Sequence, residues 1–422
     1  MTPLDHVTSL VCVVCGNTYL PGEVAYVCPD HGTEGILDVR YDYELIGSRM
    51  GPSSLASDTN PTMWRFRPLL PVAPDAMVPP LAVGGTPLYD SPRLAAEVGV
   101  AQVWVKDDGR QPTASLKDRA SAMAVAKALE TGAEVVTTAS TGNAGAALAG
   151  MAASVGQKSV IFVPASAPEA KVAQLLAYGS TVVLVAGRYA QAFELCMTAS
   201  SEYGWYNRNT GFNPYMTEGK KTVGLEILEQ LGWEPPDAIF VSVGDGSIIG
   251  GVHKAIKDAM ALRWIDRAPR LFGVQAAGSD YMVQAFENGE DVLTKPPISA
   301  TTVADSISAD LPRDRLKAMA AVIETGGVYL RVSDKEILDA ILGLARGSGV
   351  FAEPAAAAAY AGLRAAASRR LVGRTDRVVV LATGSGLKDV ASAMKAVAAA
   401  GTEPIRIGPS LGELHKALKG RS

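Results

Sequence analysis

Cysteine is scarce. Four in 422 residues cannot staple a chain this long, which excludes a disulfide scaffold. Charge is thin as well: Asp, Glu, Lys and Arg make up 19% of the sequence, against about 25% in an average soluble domain. The 39 basic residues stand against 43 acidic ones, a net charge of -4, and no basic block exists to track a phosphate backbone. Nucleic acid is therefore excluded as the main partner. No uninterrupted apolar stretch reaches about 18 residues, and the N-terminus MTPLDHVTSLVCVVCG has no basic region followed by a long apolar run. A cytoplasmic protein that does not enter the membrane is the expectation. Apolar residues, by contrast, are plentiful at 48%. A chain nearly three times the ~150-residue norm for one domain should fold into two or three units with a large core, which excludes disorder as its dominant state.

Three of the four cysteines are clustered. Cys12 and Cys15 form a C-x-x-C pair, and Cys28 and His31 a C-x-x-H pair twelve residues on. Gly16 and Gly32 follow the two pairs and let each curl into a tight knuckle. Three thiolates and an imidazole then converge tetrahedrally on Zn²⁺, and a closed four-ligand shell makes the site structural. Reduced thiols beside a surface histidine would carry the same spacing. Cys196 lies in the apolar helical stretch YAQAFELCMTAS and reads as core. Residues 47–82 are rich in Pro, Ser and Gly without sustained period and read as a connector, with the catalytic part after it. A ribbon with so little core of its own is expected to be dispensable for the chemistry.

From Gln102 onward, apolar runs alternate with helical patterns. QVWVKD, EVVTTAS, SVIFVP and TVVLVAG are each followed by a helix, starting at Leu116, Asn143, Glu169 and Tyr189. The alternation resumes at AIFVSVG, RLFGVQAAG, GVYLRVS and RVVVLATG. Strands alternating with helices imply right-handed crossovers and parallel sheets, so two α/β units sharing a cleft are expected, with ligands at the carboxyl ends of the strands. The alanine-rich run 355–368 reads as a tightly packed helix.

Four polar or glycine-rich segments follow these strands. In Lys106–Arg119, Lys117 falls in the first turn of a helix, where the dipole disfavours its ammonium and favours the nucleophilic amine. Alone, Lys-Asp-Arg would also suit a solvated face. Ser140-Thr141-Gly142-Asn143 opens a helix and gathers hydroxyls, an amide and free N–H groups where a carboxylate could be held, or serves simply as a cap. Gly244-Asp245-Gly246-Ser247-Ile248-Ile249-Gly250 can wrap backbone N–H groups around a phosphate. Thr383-Gly384-Ser385-Gly386 caps the last strand.

In combination and order these segments resemble the type II fold family of pyridoxal-phosphate enzymes, and within it the threonine synthases. The resemblance runs over roughly residues 84–400: GGTPLYDSPRLA, KDDGRQPTASLKDR, STGNAGAALAG, NPYMTEGKKTVGLEI, the glycine loop, FAEPAAAA and TGSGLKD. Some relatives also carry a ribbon-like N-terminal extension. The resemblance implies two parallel-sheet α/β domains around a cleft plus a small zinc ribbon. The segments would be a ribbon-like extension (1–46), a connector and the start of the large cofactor domain (47–117), a small α/β domain (118–205) and the large cofactor-binding domain (206–422). Pyridoxal 5'-phosphate and structural Zn²⁺ would be the cofactors, and a homodimer the assembly.

Carried over, the family roles make Lys117 the Schiff-base lysine and proton shuttle, with Asn143 on the ring oxygen O3′. Gly244, Asp245, Gly246, Ser247, Ile248 and Gly250 would bind the cofactor phosphate, and Thr383 would face the pyridine nitrogen, where a neutral hydroxyl tempers electron withdrawal. Ser115, Ser140, Thr141 and Lys221 would meet the substrate. Lys220, Arg110 and Lys388 are further candidates for its phosphate.

The implied reaction is that of a carbon-oxygen lyase in amino-acid biosynthesis: O-phospho-L-homoserine and water give L-threonine and phosphate. Alternatives are β-replacement on O-phosphoserine by sulfide or sulfite, dehydration of serine or threonine, or a ribbon-bearing binding protein with an inactive catalytic fold. Two departures bear on this. Gln111, Ala114 and Leu116 replace Asn, Gly and Phe of the family's lysine motif, and Asp245 puts a carboxylate into a loop meant for a phosphate.

Overall fold

The computed structural model describes residues 4–167 and 169–419. Each apolar run named above is a strand: β5 (Gln102–Asp107), β6 (Val135–Ala139), β7 (Lys158–Pro164), β8 (Thr181–Val185), β10 (Ala238–Ser242), β11 (Arg270–Ala276), β12 (Tyr329–Val332) and β13 (Arg377–Ala382). Five short strands complete the set: β1 (Val7–Cys12), β2 (Thr18–Tyr19), β3 (Leu37–Tyr41), β4 (Leu88–Asp90) and β9 (Tyr206–Asn207). They form three sheets, in the orders β2-β1-β3, β12-β11-β10-β13-β5-β4 and β8-β7-β6-β9. The large sheet is parallel except for the antiparallel edge strand β4, and the four-stranded sheet is parallel throughout.

Strands buried on both faces need helices on both sides, which is why these runs are continuously apolar and do not alternate. The alanine run is the helix Pro354–Ser368, packed against the large sheet with Ala355 through Ala361 buried. A short side chain lets a helix approach that closely. Cys196 is buried, as expected.

Two expectations need correction. The four-stranded sheet is completed by β9 at 206–207, so the small unit does not end at residue 205. β9 is only two residues long and carries no apolar run to announce it. Nor is the ribbon a detachable appendage. Leu10, Leu37, Val39 and Tyr41 share one apolar cluster with Leu225 and Ala255 of the large unit. Tyr41 donates to Glu218 at 2.5 Å and Tyr43 to Asp258 at 2.7 Å, while Lys254 and Lys317 donate to the carbonyls of Val39 and Leu37.

Candidate active site

Three neighbouring strands of the large sheet bring the predicted segments together. β10 ends in the glycine loop, β13 in Thr383, and β5 leads to the turn before Lys117. That turn is clipped to the end of β13: Leu116 N–H donates to Thr383 O at 2.9 Å, and Ser385 N–H to Ala114 O at 3.0 Å. Thr383, 2% exposed, thus lies one residue's reach from Lys117. Ala114 adopts φ +67°, a conformation that suits glycine, at the position where the family motif has Gly.

The Asp-Arg pair after Lys117 is not a solvated face. Asp118 accepts from Thr113 N at 2.6 Å and from the Thr113 hydroxyl, and burial raises its pKa to about 6. Arg119 is fully buried and bidentate to both Asp108 (2.7 and 2.9 Å) and Glu226 (2.6 and 2.8 Å), with Lys106 closing the network on Glu226 at 2.7 Å. Planar guanidinium geometry makes that double fork possible. Arg119 therefore anchors the first turn of helix Lys117–Glu130 to Asp108 and Glu226, which fixes where Lys117 emerges.

Lys117 is part-buried and forms no side-chain hydrogen bond or ion pair among the described residues. Burial pushes its pKa below the usual lysine range, against the pull of the Glu353 carboxylate. The direction agrees with the sequence expectation, but desolvation is the main cause. Glu353 was not foreseen as a site residue. It is 4% exposed, its pKa is raised by burial, and it accepts from Asn143 Nδ2 at 2.7 Å. Gly384 makes room for it, since a Cβ there would lie 2.3 Å from Glu353 Oε1.

Asn143, Thr141 and Glu353 line a cavity of about 140 Å³ together with Lys171, Ser306 and Lys388. Ser140 sits beside it at the end of β6, part-buried. A roomier cavity of about 850 Å³ lies elsewhere, between the ribbon at Tyr26 and Lys127, Tyr206 and Tyr215. It contains none of these groups, so size alone does not mark the site.

The glycine loop has the form a phosphate requires. Gly246 has φ +92°, and a Cβ on it would meet Ala318 Cβ at 2.8 Å. The loop opens the 15-residue helix Ser247–Ala261, whose first N–H groups are those of Ser247, Ile248 and Ile249, while Gly250 N–H, expected among the phosphate donors, donates to Gly246 O at 3.1 Å. Ser247 Oγ is buried without a partner among the described residues. Asp245 does not oppose a phosphate directly. Its carboxylate accepts from Arg313 N–H at 2.8 Å, and its carbonyl from Asp314 N–H at 2.9 Å. Burial and the Asp314 carboxylate raise its pKa to about 6. A lysine without a carboxylate partner, an N–H cradle with a spare hydroxyl and a neutral hydroxyl at Thr383 fit pyridoxal phosphate. Ser115 Oγ, also buried and unpartnered, lies in the turn beside them.

Lys221 is a correction. Its ammonium is fully buried between Glu218 (2.6 Å) and Asp258 (2.7 Å), over the Tyr41 ring, and it holds the ribbon to the large unit instead of facing the cleft. Its neighbour Lys220 instead reaches the Thr210 hydroxyl at 3.3 Å, which the unforeseen Arg208 also contacts, at 3.0 Å. Arg110 is exposed, and Lys388 donates to Gln174 at 2.9 Å on the cavity wall.

In the ribbon, one ligand atom from each of Cys12, Cys15, Cys28 and His31 lies within 4.8 Å of the others. Cys15 Sγ to Cys28 Sγ is 3.9 Å, and Cys28 Sγ to His31 Nδ1 is 3.6 Å. Tetrahedral thiolates at about 2.3 Å from one ion stand about 3.8 Å apart, so the cluster fits a metal. Gly16 and Gly32 have φ of +77° and +51°, as the knuckles require.

The chain is similar to known proteins in sequence and in fold. The model of a family described as pyridoxal-phosphate dependent enzymes matches residues 80–384. A threonine synthase of Methanocaldococcus jannaschii is 36% identical over 410 residues, covering 97% of this chain and 98% of that one. One from Methanosarcina acetivorans is 37% identical over 414 residues, covering 98% and 99%. Among solved structures, a processed threonine deaminase isoform from Solanum lycopersicum has the same fold, with TM-score 0.66 at 21% identity over 91% of this chain and 99% of that one. Maize serine racemase follows at TM-score 0.60 and 23% identity, covering 79% of this chain and 92% of that one.

Proposed function

The chain belongs to the threonine synthase family of pyridoxal-phosphate-dependent enzymes, and from that premise we propose that it converts O-phospho-L-homoserine and water to L-threonine and phosphate. The observation that carries this reading is similarity to threonine synthases along the full chain, ribbon included. It is a carbon-oxygen lyase acting on a small amino acid. Among the described residues no helix is long and apolar enough to cross a membrane.

Bound at this site, pyridoxal phosphate supplies an electron sink for carbanions next to the amino group. Lys117 attaches it and carries protons between substrate carbons, which needs the free amine that burial favours. Asn143, held by Glu353, would donate to the ring oxygen. The N–H groups between Gly244 and Ile249, with the Ser247 hydroxyl, would hold the phosphate, and Asp245 would contribute backbone while its carboxylate braces the loop against Arg313. Thr383 would meet the ring nitrogen with a neutral hydroxyl. Ser115, Ser140 and Thr141 hold the substrate carboxylate. In the balance of the reaction the bond from Cγ to the ester oxygen breaks with its electron pair leaving on phosphate, Cβ gives up one hydrogen as a proton, Cγ gains one proton to become the methyl group, and water delivers hydroxyl to Cβ and its remaining proton to the released phosphate.

Cys12, Cys15, Cys28 and His31 hold a structural Zn²⁺, supported by the spacing of their ligand atoms. The working assembly is a homodimer in the cytoplasm. Phosphate release from purified holoenzyme, offered O-phosphohomoserine and O-phosphoserine separately with the amino-acid product identified, tests the reading. Threonine from the first is expected. Release only from O-phosphoserine would move the chain to β-replacement chemistry, and release from neither would overturn the proposal.

A further inference from the structure

Glu353 stands where a residue ordinarily caps a helix, and it does something else. It is the N-cap of helix Pro354–Ser368, next to free N–H groups that a carboxylate could take, yet its side chain makes no capping bond. The carboxylate turns instead to Asn143, 210 residues back in the chain, and accepts from Nδ2 at 2.7 Å. Nor is it spent on a cation. Lys117, Lys388 and Lys171 act on it electrostatically, but none forms an ion pair with it among the described residues.

The surroundings hold this carboxylate in place. Glu353 N–H donates to Gly384 O at 3.1 Å and Ala352 bridges Ser385, so its backbone is fastened to the turn that follows Thr383. Behind it, Ala355 through Ala361 are buried against the large sheet. A Cβ on Gly384 would lie 3.4 Å from Asn143 Nδ2 as well as against the carboxylate, so the glycine leaves space for the pair and not for Glu353 alone. Both members of the pair line the small cavity. A carboxylate only accepts, and it therefore decides which way the Asn143 amide lies. The NH₂ group faces Glu353, and its second N–H has only Ser306 Oγ, at the long distance of 3.4 Å.

We propose that Glu353 is a positioning residue that holds Asn143 with an N–H toward the cofactor's ring oxygen and thereby keeps that oxygen ionised. The inference rests on the assignment of Asn143 to the ring oxygen and adds the residue that orients it. A donor at the ring oxygen favours its charged form. The proton then stays on the nitrogen through which Lys117 is attached, where it makes the linkage easier for a substrate amine to displace. Without the carboxylate, half a turn of the amide would present Oδ1 instead, and an acceptor there favours the neutral hydroxyl.

The test reads the absorbance of bound cofactor in holoenzymes of Glu353→Gln, Glu353→Asp and Gly384→Ala at neutral pH, with cofactor content and thermal midpoint measured beside it. The form with an ionised ring oxygen absorbs in the visible and the neutral form in the near ultraviolet. Glu353→Gln should lower the visible to near-ultraviolet ratio by about tenfold, the worth of one charge-assisted hydrogen bond, and Glu353→Asp should recover part of it. Gly384→Ala, which displaces the carboxylate without removing it, should move the ratio the same way. A wild-type ratio in Glu353→Gln at full cofactor content, even with a lowered thermal midpoint, overturns the positioning role. If the Gln variant binds no cofactor, Gly384→Ala decides: a shifted ratio upholds the role and a wild-type ratio overturns it. If wild-type enzyme makes no threonine from O-phosphohomoserine while the ratio shifts as stated, the threonine synthase reading fails and the positioning role stands. If it makes threonine and the ratio is the same in every variant, only the positioning role fails.

Discussion

Asp245 offers a quantitative check on the electrostatics of the glycine loop. Its carboxyl is raised from the usual 3.8 to about 6, by burial first and by the Asp314 carboxylate second. An acid whose folded pKa lies above its unfolded one binds more protons when folded, so stability falls as pH climbs from about 4 to about 6 and stays reduced above. A displacement of this size corresponds to at most about 3 kcal/mol, of which about 1 to 2 kcal/mol is expressed between pH 5 and pH 8. Asp245→Asn removes the titration and still presents an oxygen to Arg313 N–H. In apoprotein, where no cofactor phosphate adds its own charge, the variant's advantage in unfolding free energy should widen by that amount from pH 5 to pH 8. Urea titrations at closely spaced pH values would follow it. Parallel curves for the two proteins would refute the reasoning, since they would mean that Lys220 or Arg313 already neutralises the carboxylate.

Lys117→Ala should abolish turnover and the visible absorbance of bound cofactor; borohydride-reducible cofactor on another lysine would sink the assignment. Ala114→Gly should raise stability by about 1 kcal/mol, because Ala114 holds a left-handed φ of +67°, and a loss of stability in denaturant titration would show that the methyl is needed for packing. Metal removal should lower the thermal midpoint of the whole chain, since the ribbon shares its core with the large unit; elemental analysis finding no metal in protein purified without chelators would contradict the Cys12, Cys15, Cys28 and His31 site.

What could be read in advance was local. Lys117, Asn143, the glycine loop and Thr383 each sit where an apolar run meets a turn, and strand ends of parallel sheets face one cleft, so their convergence follows from position along the chain. What depends on rotation about a helix could not be read. Lys220 and Lys221 are adjacent in sequence, yet about 100° of helical turn sends one toward Thr210 and the other between Glu218 and Asp258. Glu353 is hidden for a related reason: a Glu-Pro before an alanine run looks like a helix start, and only the packing of that helix on the large sheet puts the carboxylate beside Asn143. Arg208 follows a strand too short to announce itself.

The docking of the ribbon also sets an order of events during synthesis. Tyr41 meets Glu218 across 177 residues, and Tyr43 meets Asp258 across 215. At about 5 to 20 residues per second, a ribosome needs on the order of 10 to 40 s to deliver those partners. Throughout that interval the apolar side of β1 and β3 is made but uncovered, and two tyrosine hydroxyls wait for their carboxylates. A metal ion captured by the first thirty-one residues would hold the nascent segment in shape until its dock exists, and metal supply during translation would then set the yield of the entire enzyme.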